Sequence, residues 1–191
     1  MNGSEPVFQQ ILGAEWDKLG AVIQRHYFLR PYSNDAVCIS GTMNEIYHSR
    51  FAKLLIPFGL LFGAVVPYNA KDVPVDVGYT ASPSNKNIYW DRAFRFTAGK
   101  LFHFRSHMEH QSGNDVIEFV RFGVGMRLKV SAEGGAIVFR DHGYIWRIFN
   151  VDLPIPVGLL FGKAYVEERP AGGDTVRMKM ELKHPLFGRK R

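Results

Sequence analysis

The chain has 191 residues, of which 46% are hydrophobic and 22% charged, and its formal net charge is +6. This composition excludes a disordered chain and suits a globular protein with one core, so we expect a single domain over residues 1–191. Cys38, the one cysteine, excludes an intrachain disulfide, and we recognise neither a secretory signal nor a membrane-spanning run, so we expect a cytoplasmic protein.

The first predicted element is a helix over residues 12–30. Five apolar residues recur there at helical spacing on one face: Leu12, Trp16, Leu19, Ile23 and Tyr27. His26 falls on the same face, where we expect it to be a hydrogen-bonded core residue. A strand over residues 37–47 follows.

An apolar octapeptide then occurs twice, as Ile56–Gly63 and as Ile155–Gly162, 99 residues apart. Both copies read Ile-Pro-x-Gly-Leu-Leu-Phe-Gly, and we interpret each as a short apolar flap. The repeat favours an internal pseudo-twofold that relates strand 37–47 to strand 136–149 and strand 73–82 to strand 174–183. Chance similarity between two amphipathic segments is the alternative.

The middle of the chain alternates as strands do, and turn signals such as Ser112-Gly113-Asn114 separate its runs. From Val116 to Val130 the apolar residues keep one parity, which predicts a single long strand bent at Gly123 or Gly125. We expect four of its side chains to face the interior: Val120, Phe122, Met126 and Leu128. Strands over 137–149, 164–168 and 174–183 complete the prediction.

These elements predict an α+β fold: a strongly curved antiparallel sheet or partly closed β-barrel of about 8–10 strands. The N-terminal helix and the two flaps would cover it. Tight turns between successive strands exclude a parallel sheet, and no glycine-rich phosphate loop is present.

Two charged residues, Arg92 and Glu118, interrupt otherwise apolar strand faces. An unpaired buried charge is costly, so we expect them to pair, either as a structural ion pair or as the polar anchor of an apolar pocket. Ser106 could add a hydroxyl to that anchor. The predicted ligand-binding residues are Trp90, Arg92, Phe94, Phe104, Ser106, Glu118 and Phe122.

Other groups of residues give weaker evidence for a functional site. On a strand, His103 and His107 lie about 13 Å apart and His110 points to the opposite face, so we expect no metal site. No triad or nucleophile motif is present, and we assign no catalytic residue and no cofactor. Alternating Phe and Arg fall on opposite faces, which argues against nucleic-acid binding.

Several landmarks along the chain resemble those of a bacterial family, the domain-of-unknown-function family 4166. They are Leu12-Gly13, Leu19, His26, Val73-Pro74-Val75, Trp90, Arg92, Phe94, Phe104, Ser106, Glu118, Phe122-Gly123, Leu153-Pro154, Pro156, Glu168, Pro185 and Gly188. The chain stops before the tyrosine-x-glycine that usually closes the family, so its last strand is expected to be incomplete. Such domains are often fused to saccharopine-dehydrogenase-like reductases or to membrane segments, which implies a reductase or a membrane surface as partner.

The leading functional hypothesis is non-catalytic binding of a hydrophobic or lipid-like small molecule in a cavity enclosed by the sheet. One alternative is a cupped-sheet enzyme of the isomerase or cyclase type that uses Arg92, Glu118 or His26. The other is an accessory domain whose apolar flaps dock on a partner protein or a membrane surface.

Overall fold

A curled antiparallel sheet forms the body of the protein. In the computed structural model, residues 5–158 and 162–183 are described, and within them ten strands belong to one sheet. The strands are β1 Ala36–Ile46, β2 Ala70–Ser82, β3 Asn85–Arg95, β4 Leu101–Ser112, β5 Asp115–Phe119, β6 Val124–Glu133, β7 Ala136–Ile148, β8 Val151–Ile155, β9 Lys163–Gly172 and β10 Thr175–Lys183. The helices are α1 Val7–Leu12, α2 Ala21–His26 and α3 Arg50–Leu61, with 3-10 turns at Gly13–Lys18, Thr97–Gly99 and Arg121–Gly123.

The strand order follows the chain from β1 to β7 and continues through β9 and β10, while β8 pairs with the second half of β7. The sheet curls into a half-barrel, which confirms the predicted fold class. Because every neighbouring pair is antiparallel, the connections alternate between two edges. One edge, here called the α3 rim, carries α3 and the β3–β4, β5–β6 and β7–β8 turns. The opposite rim carries the β2–β3, β4–β5, β6–β7 and β9–β10 turns.

The N-terminal segment fills the concave face at the opposite rim. Its backbone is tied there by a hydrogen bond from Gly20 N to Gly135 O, 2.9 Å long. The predicted helix over residues 12–30 is wrong as a continuous element, because α1, a 3-10 turn and α2 replace it. Gly13 has a φ of +53°, which is not helical, and a Cβ on Gly20 would collide with the Pro170 ring. Both glycines therefore lie where the predicted helix is interrupted. The five residues of the predicted apolar face are nevertheless all buried.

A second, smaller cluster lies nearer to the α3 rim. It joins Val73 and Val75 of β2 to Phe94 of β3 and to Phe96, and Val66, just after α3, packs on it. Ser49 caps α3 by accepting a 3.1 Å hydrogen bond from the Ala52 N–H. Within the described ranges, no helix is long and apolar enough to cross a membrane.

The predicted long strand from Val116 to Val130 is wrong. β5 and β6 instead form a hairpin in which Glu118 pairs with Met126 and Phe119 with Gly125. Even-numbered residues therefore face even-numbered partners, so the alternation continues through the turn as it would in one strand. Phe122 and Gly123 form the turn with φ values of 58° and 75°. Leu128 is buried as expected, but Phe122 is 66% exposed.

The two octapeptides begin in different structures. Ile56 lies inside α3, whereas Ile155 ends β8, a strand that the sequence did not reveal. β1 and β2, which flank the first copy, pair with each other, whereas β8 and β9, which flank the second, both pair with β7. The described residues therefore do not follow the expected pseudo-twofold, and residues 159–161 of the second copy lie outside them.

Candidate functional site

Six of the seven predicted ligand-binding side chains share the concave face. The register places Trp90 opposite Ser106, Arg92 opposite Phe104 and Met108 opposite Glu118. Directly paired residues of antiparallel strands project to the same side, so the alternation of β3, β4 and β5 brings these side chains together. Phe94 lies two residues from Arg92 on that face and is 4% exposed.

Arg92 is the centre of the group. Its Nη1 donates to Ser106 Oγ at 3.1 Å, and its Nη2 donates to Glu118 Oε1 at 3.2 Å. Ser106 Oγ donates in turn to the same Glu118 oxygen at 2.6 Å. The Arg92 and Glu118 side chains are 16% and 11% exposed. The predicted pairing, with Ser106 as its third member, is confirmed.

Two aromatic rings flank the guanidinium. The carbon Cζ of Arg92 lies 4.4 Å from the Trp90 ring centroid and 5.0 Å from that of Phe104. A cation over an aromatic face is attracted by the ring quadrupole, more strongly where water is excluded. These rings fix the plane of the guanidinium on the concave surface.

A second carboxylate, Glu168 of β9, lies in the adjoining core. It is 5% exposed, and its Oε1 accepts a 3.3 Å hydrogen bond from Tyr79 Oη. Burial raises the pKa of the Glu168 carboxyl, against the opposing effects of the nearby Tyr27 hydroxyl and of the positive charge of Arg92. Tyr79 packs edge-on against Trp90, with ring centroids 5.7 Å apart, and so connects Glu168 with the residues around Arg92.

One polar atom beside this group is buried without a partner. Among the described residues it is Trp90 Nε1, whereas the Tyr27 hydroxyl interacts with the Glu168 carboxyl. Of the five N–H donors of Arg92, two are used by Ser106 and Glu118 within the described part of the chain. Buried polar groups are almost always hydrogen-bonded, so the free indole N–H beside the remaining guanidinium donors marks a place where a further polar group can be bound.

Phe122 is the one predicted site residue that the structure places elsewhere. It lies at the tip of the β5–β6 turn, where its ring contacts Phe62 at 6.2 Å between centroids. Sequence reasoning also missed Tyr79 and Glu168 as site residues. Glu168 carries the signal that revealed Arg92 and Glu118, because it follows Ala164 and Val166 on an otherwise apolar strand face.

Residues 19–190 match the family described as Domain of unknown function (DUF4166). The chain belongs to this family. Comparisons with curated proteins and with solved structures found no match. Five landmarks that carried the resemblance to DUF4166 in the sequence meet in the polar group: Trp90, Arg92, Ser106, Glu118 and Glu168.

The three histidines of this DUF4166 domain that were considered as metal ligands have separate partners. His103 Nδ1 lies 2.8 Å from Asp91 Oδ1, His107 stacks between Tyr89 and Phe119, and His110 Nε2 lies 2.8 Å from Gly113 O. No group of three or more His, Cys, Asp or Glu side chains suited to a metal ion occurs in residues 5–158 and 162–183. Burial lowers the pKa of His26, whose Nδ1 has no hydrogen-bond partner among those residues. The expectation that His26 is a satisfied core histidine therefore fails for this atom.

Two open surface clefts lie away from Arg92. The larger has a volume of about 300 Å³ and includes Glu15, Lys129 and Asp141 in its lining. The smaller, of about 160 Å³, lies beside Asp115 and Arg127. Both are lined largely by polar side chains, so neither resembles the expected apolar pocket.

Proposed function

We propose that this DUF4166 domain binds a hydrophobic or lipid-like small molecule on the concave face of its half-barrel, without catalysing a reaction on it. The observation that carries the proposal is the Arg92 guanidinium, held between two aromatic rings. Among the described residues it has unused N–H donors and lies beside a buried, unpartnered indole N–H. Donors that converge on an apolar surface suit the polar end of such a ligand.

The donors indicate the chemistry of that end. The Arg92 N–H groups and the Trp90 Nε1–H can only donate, so the matching ligand atom is an oxygen acceptor such as a carbonyl, hydroxyl or carboxylate. Glu118 already balances the charge of Arg92, and the ligand therefore does not need to be ionised.

The apolar part of the ligand would extend towards the α3 rim. The N-terminal segment fills the half-barrel at the opposite rim, so under this proposal the apolar part of the ligand lies on the α3 side. Phe102 and Phe104 are only partly buried there. Val66 and Tyr68 cover this end, and the ligand would reach the polar group beneath them.

A purely structural ion pair explains less. Arg92, Ser106 and Glu118 bond one another, yet in the described chain the other Arg92 N–H donors and the buried Trp90 Nε1 have no hydrogen-bond partner. A buried donor that forms no hydrogen bond destabilises the protein by about 1–3 kcal/mol, and a ligand acceptor would recover part of that free energy.

The exposed thiol of the lone Cys38 supports a cytoplasmic site of action, where thiols remain reduced. The resemblance to DUF4166 supports a bacterial source. A reductase fused or bound to such a domain would be its natural partner under this proposal.

Native mass spectrometry of the purified protein tests the proposal, together with titration by a fluorescent fatty acid. We expect a bound apolar molecule in the wild type and its loss in the double variant Arg92→Met/Glu118→Leu, which removes both charges together. The matched control is Arg147→Met/Asp152→Leu, which removes another partly buried ion pair, 2.6 Å long, from β7 and β8. A folded double variant that binds the probe as tightly as the wild type would refute the proposal. Recovery of a chemically altered ligand would favour the isomerase or cyclase alternative instead.

A further inference from the structure

The two rims of the half-barrel differ in chemistry. The turns of the opposite rim are Pro83-Ser84, Gly113-Asn114, Gly134-Gly135 and Gly173-Asp174, which are small or polar. The connections of the α3 rim are rich in Leu, Phe and Val, and two of them are α3 itself and the β7–β8 turn at Phe149-Asn150. Turns are ordinarily polar, so apolar residues at one rim require an explanation.

Large apolar side chains of α3 point into solvent. Leu54, Phe58 and Leu61 are 76%, 55% and 58% exposed. Their spacing of four and three residues places them on one face of the helix. An amphipathic helix normally buries this face, but here the face is uncovered by the described residues.

The apolar surface continues from α3 to the neighbouring turns. Phe58 and Phe62 have ring centroids 5.1 Å apart, and Phe62 contacts Phe122 at 6.2 Å. Trp146 Nε1 donates a 2.8 Å hydrogen bond to Phe122 O, which ties β7 to the β5–β6 turn. Beyond Trp146 on β7, the turn to β8 presents Phe149, whose exposure is 96%.

We refer to Leu54, Phe58, Leu61, Phe122 and Phe149 as the docking surface. Each is more than half exposed, and together they line α3 and two adjacent turns of one rim. Large contiguous apolar patches on a protein surface mark binding sites.

Three basic side chains adjoin this surface. Between Glu45 and Asp72 the sequence has no acidic residue, and that stretch includes Arg50 and Lys53 at the start of α3. Arg121 adjoins Phe122 on the β5–β6 turn. Within the described ranges none of these three cations forms an ion pair, whereas at the opposite rim Arg25 pairs with Asp174 and Arg140 with Glu133.

We propose that the α3 rim docks on a lipid bilayer that carries anionic headgroups. α3 would lie in the plane of the interface with its exposed apolar face in the acyl boundary, and Phe149 would insert beside it. Arg50, Lys53 and Arg121 would then face the headgroup phosphates, and the opposite rim would point away into water.

Charge complementarity favours a bilayer over a second copy of the chain. A self-interface through the docking surface would bring the three unpaired cations of each copy together, and like charges across an interface are unfavourable. The proposal does not depend on the concave ligand site, although it would place the α3-covered end of that site against the membrane.

The test is flotation of the purified protein with vesicles of phosphatidylcholine alone and of phosphatidylcholine mixed with phosphatidylglycerol. We expect binding to the mixed vesicles and weaker binding at high salt, because salt screens the attraction. Phe149→Ser should weaken partitioning at least about tenfold, since a buried Phe contributes that much. The matched control is Phe28→Ser, which removes a ring that is 53% exposed outside the docking surface.

Charge is tested separately with Lys53→Gln/Arg121→Gln against Lys18→Gln/Lys129→Gln, a control pair of exposed cations away from the docking surface. The first pair should lose about 25-fold in partitioning and the control pair far less. The proposal is overturned if the wild type ignores the mixed vesicles, or if Phe28→Ser weakens binding as much as Phe149→Ser. It is also overturned if light scattering shows a dimer that Phe149→Ser dissociates, because the surface is then a self-interface.

Discussion

Removal of Arg92 or Glu118 should destabilise the fold strongly, and removal of both should cost little more than removal of one. The pair is 3.2 Å apart, with side chains 16% and 11% exposed. Breaking a buried ion pair from one side costs about 3–5 kcal/mol, because the remaining charge keeps its desolvation penalty. Here Ser106 still bonds the remaining partner, so we expect about 3 kcal/mol for Arg92→Met and the same for Glu118→Leu.

The double variant leaves no buried charge, and its main defect is the unpartnered Ser106 hydroxyl. We expect its total loss to be about 3 kcal/mol, which implies a coupling of about 3 kcal/mol between the two sites. Urea unfolding followed by circular dichroism measures all four corners of the cycle. The reference cycle is Arg140–Glu133, an ion pair whose side chains are 47% and 46% exposed and whose coupling should stay below about 1 kcal/mol. Additive losses at Arg92 and Glu118 would show that the two charges do not depend on each other.

Three further changes have defined outcomes. Gly123→Ala should lower the urea midpoint more than Gly99→Ala. Both glycines have a positive φ, but of the two only Gly123 would bring a Cβ into collision with a backbone carbonyl of β7. Equal losses in the two variants would contradict this. The raised pKa of Glu168 means that the folded state binds the carboxyl proton more tightly than the unfolded state does. The free energy of unfolding therefore falls as pH rises from about 4.5 through the higher folded pKa. Glu168→Gln should flatten that fall, and a pH profile equal to that of the wild type would refute this reasoning. Calorimetric zinc titration should give the same weak heat for the wild type and for His103→Ala/His107→Ala, whereas a tight stoichiometric site lost in the variant would disprove the strand assignment.

Local pattern was sufficient for most of the strands and for the side chains at the centre of the site. Alternation along β3, β4 and β5 placed Trp90, Arg92, Ser106 and Glu118 on one face before any strand pairing was known, because successive side chains of a strand point to opposite sides. The cost of burying an isolated charge then required Arg92 and Glu118 to meet. Glu168 followed the same rule on β9 and was detectable by it.

The tertiary structure decided what alternation cannot distinguish. A hairpin whose paired residues have equal parity repeats the pattern of a single strand, so the break at Phe122 and the exposure of its ring depended on the pairing of β5 with β6. The two nearly identical octapeptides start in different structures, in a helix at Ile56 and in a strand at Ile155. Ile155 ends a strand because β7 offers backbone hydrogen bonds to β8, whereas the residues around Ile56 form their hydrogen bonds within α3. The sequence by itself determined which side chains share a face, since that depends on backbone geometry alone. Which faces are covered, and therefore that α3 presents Leu54 and Phe58 to solvent, was decided by the packing of segments distant in the chain.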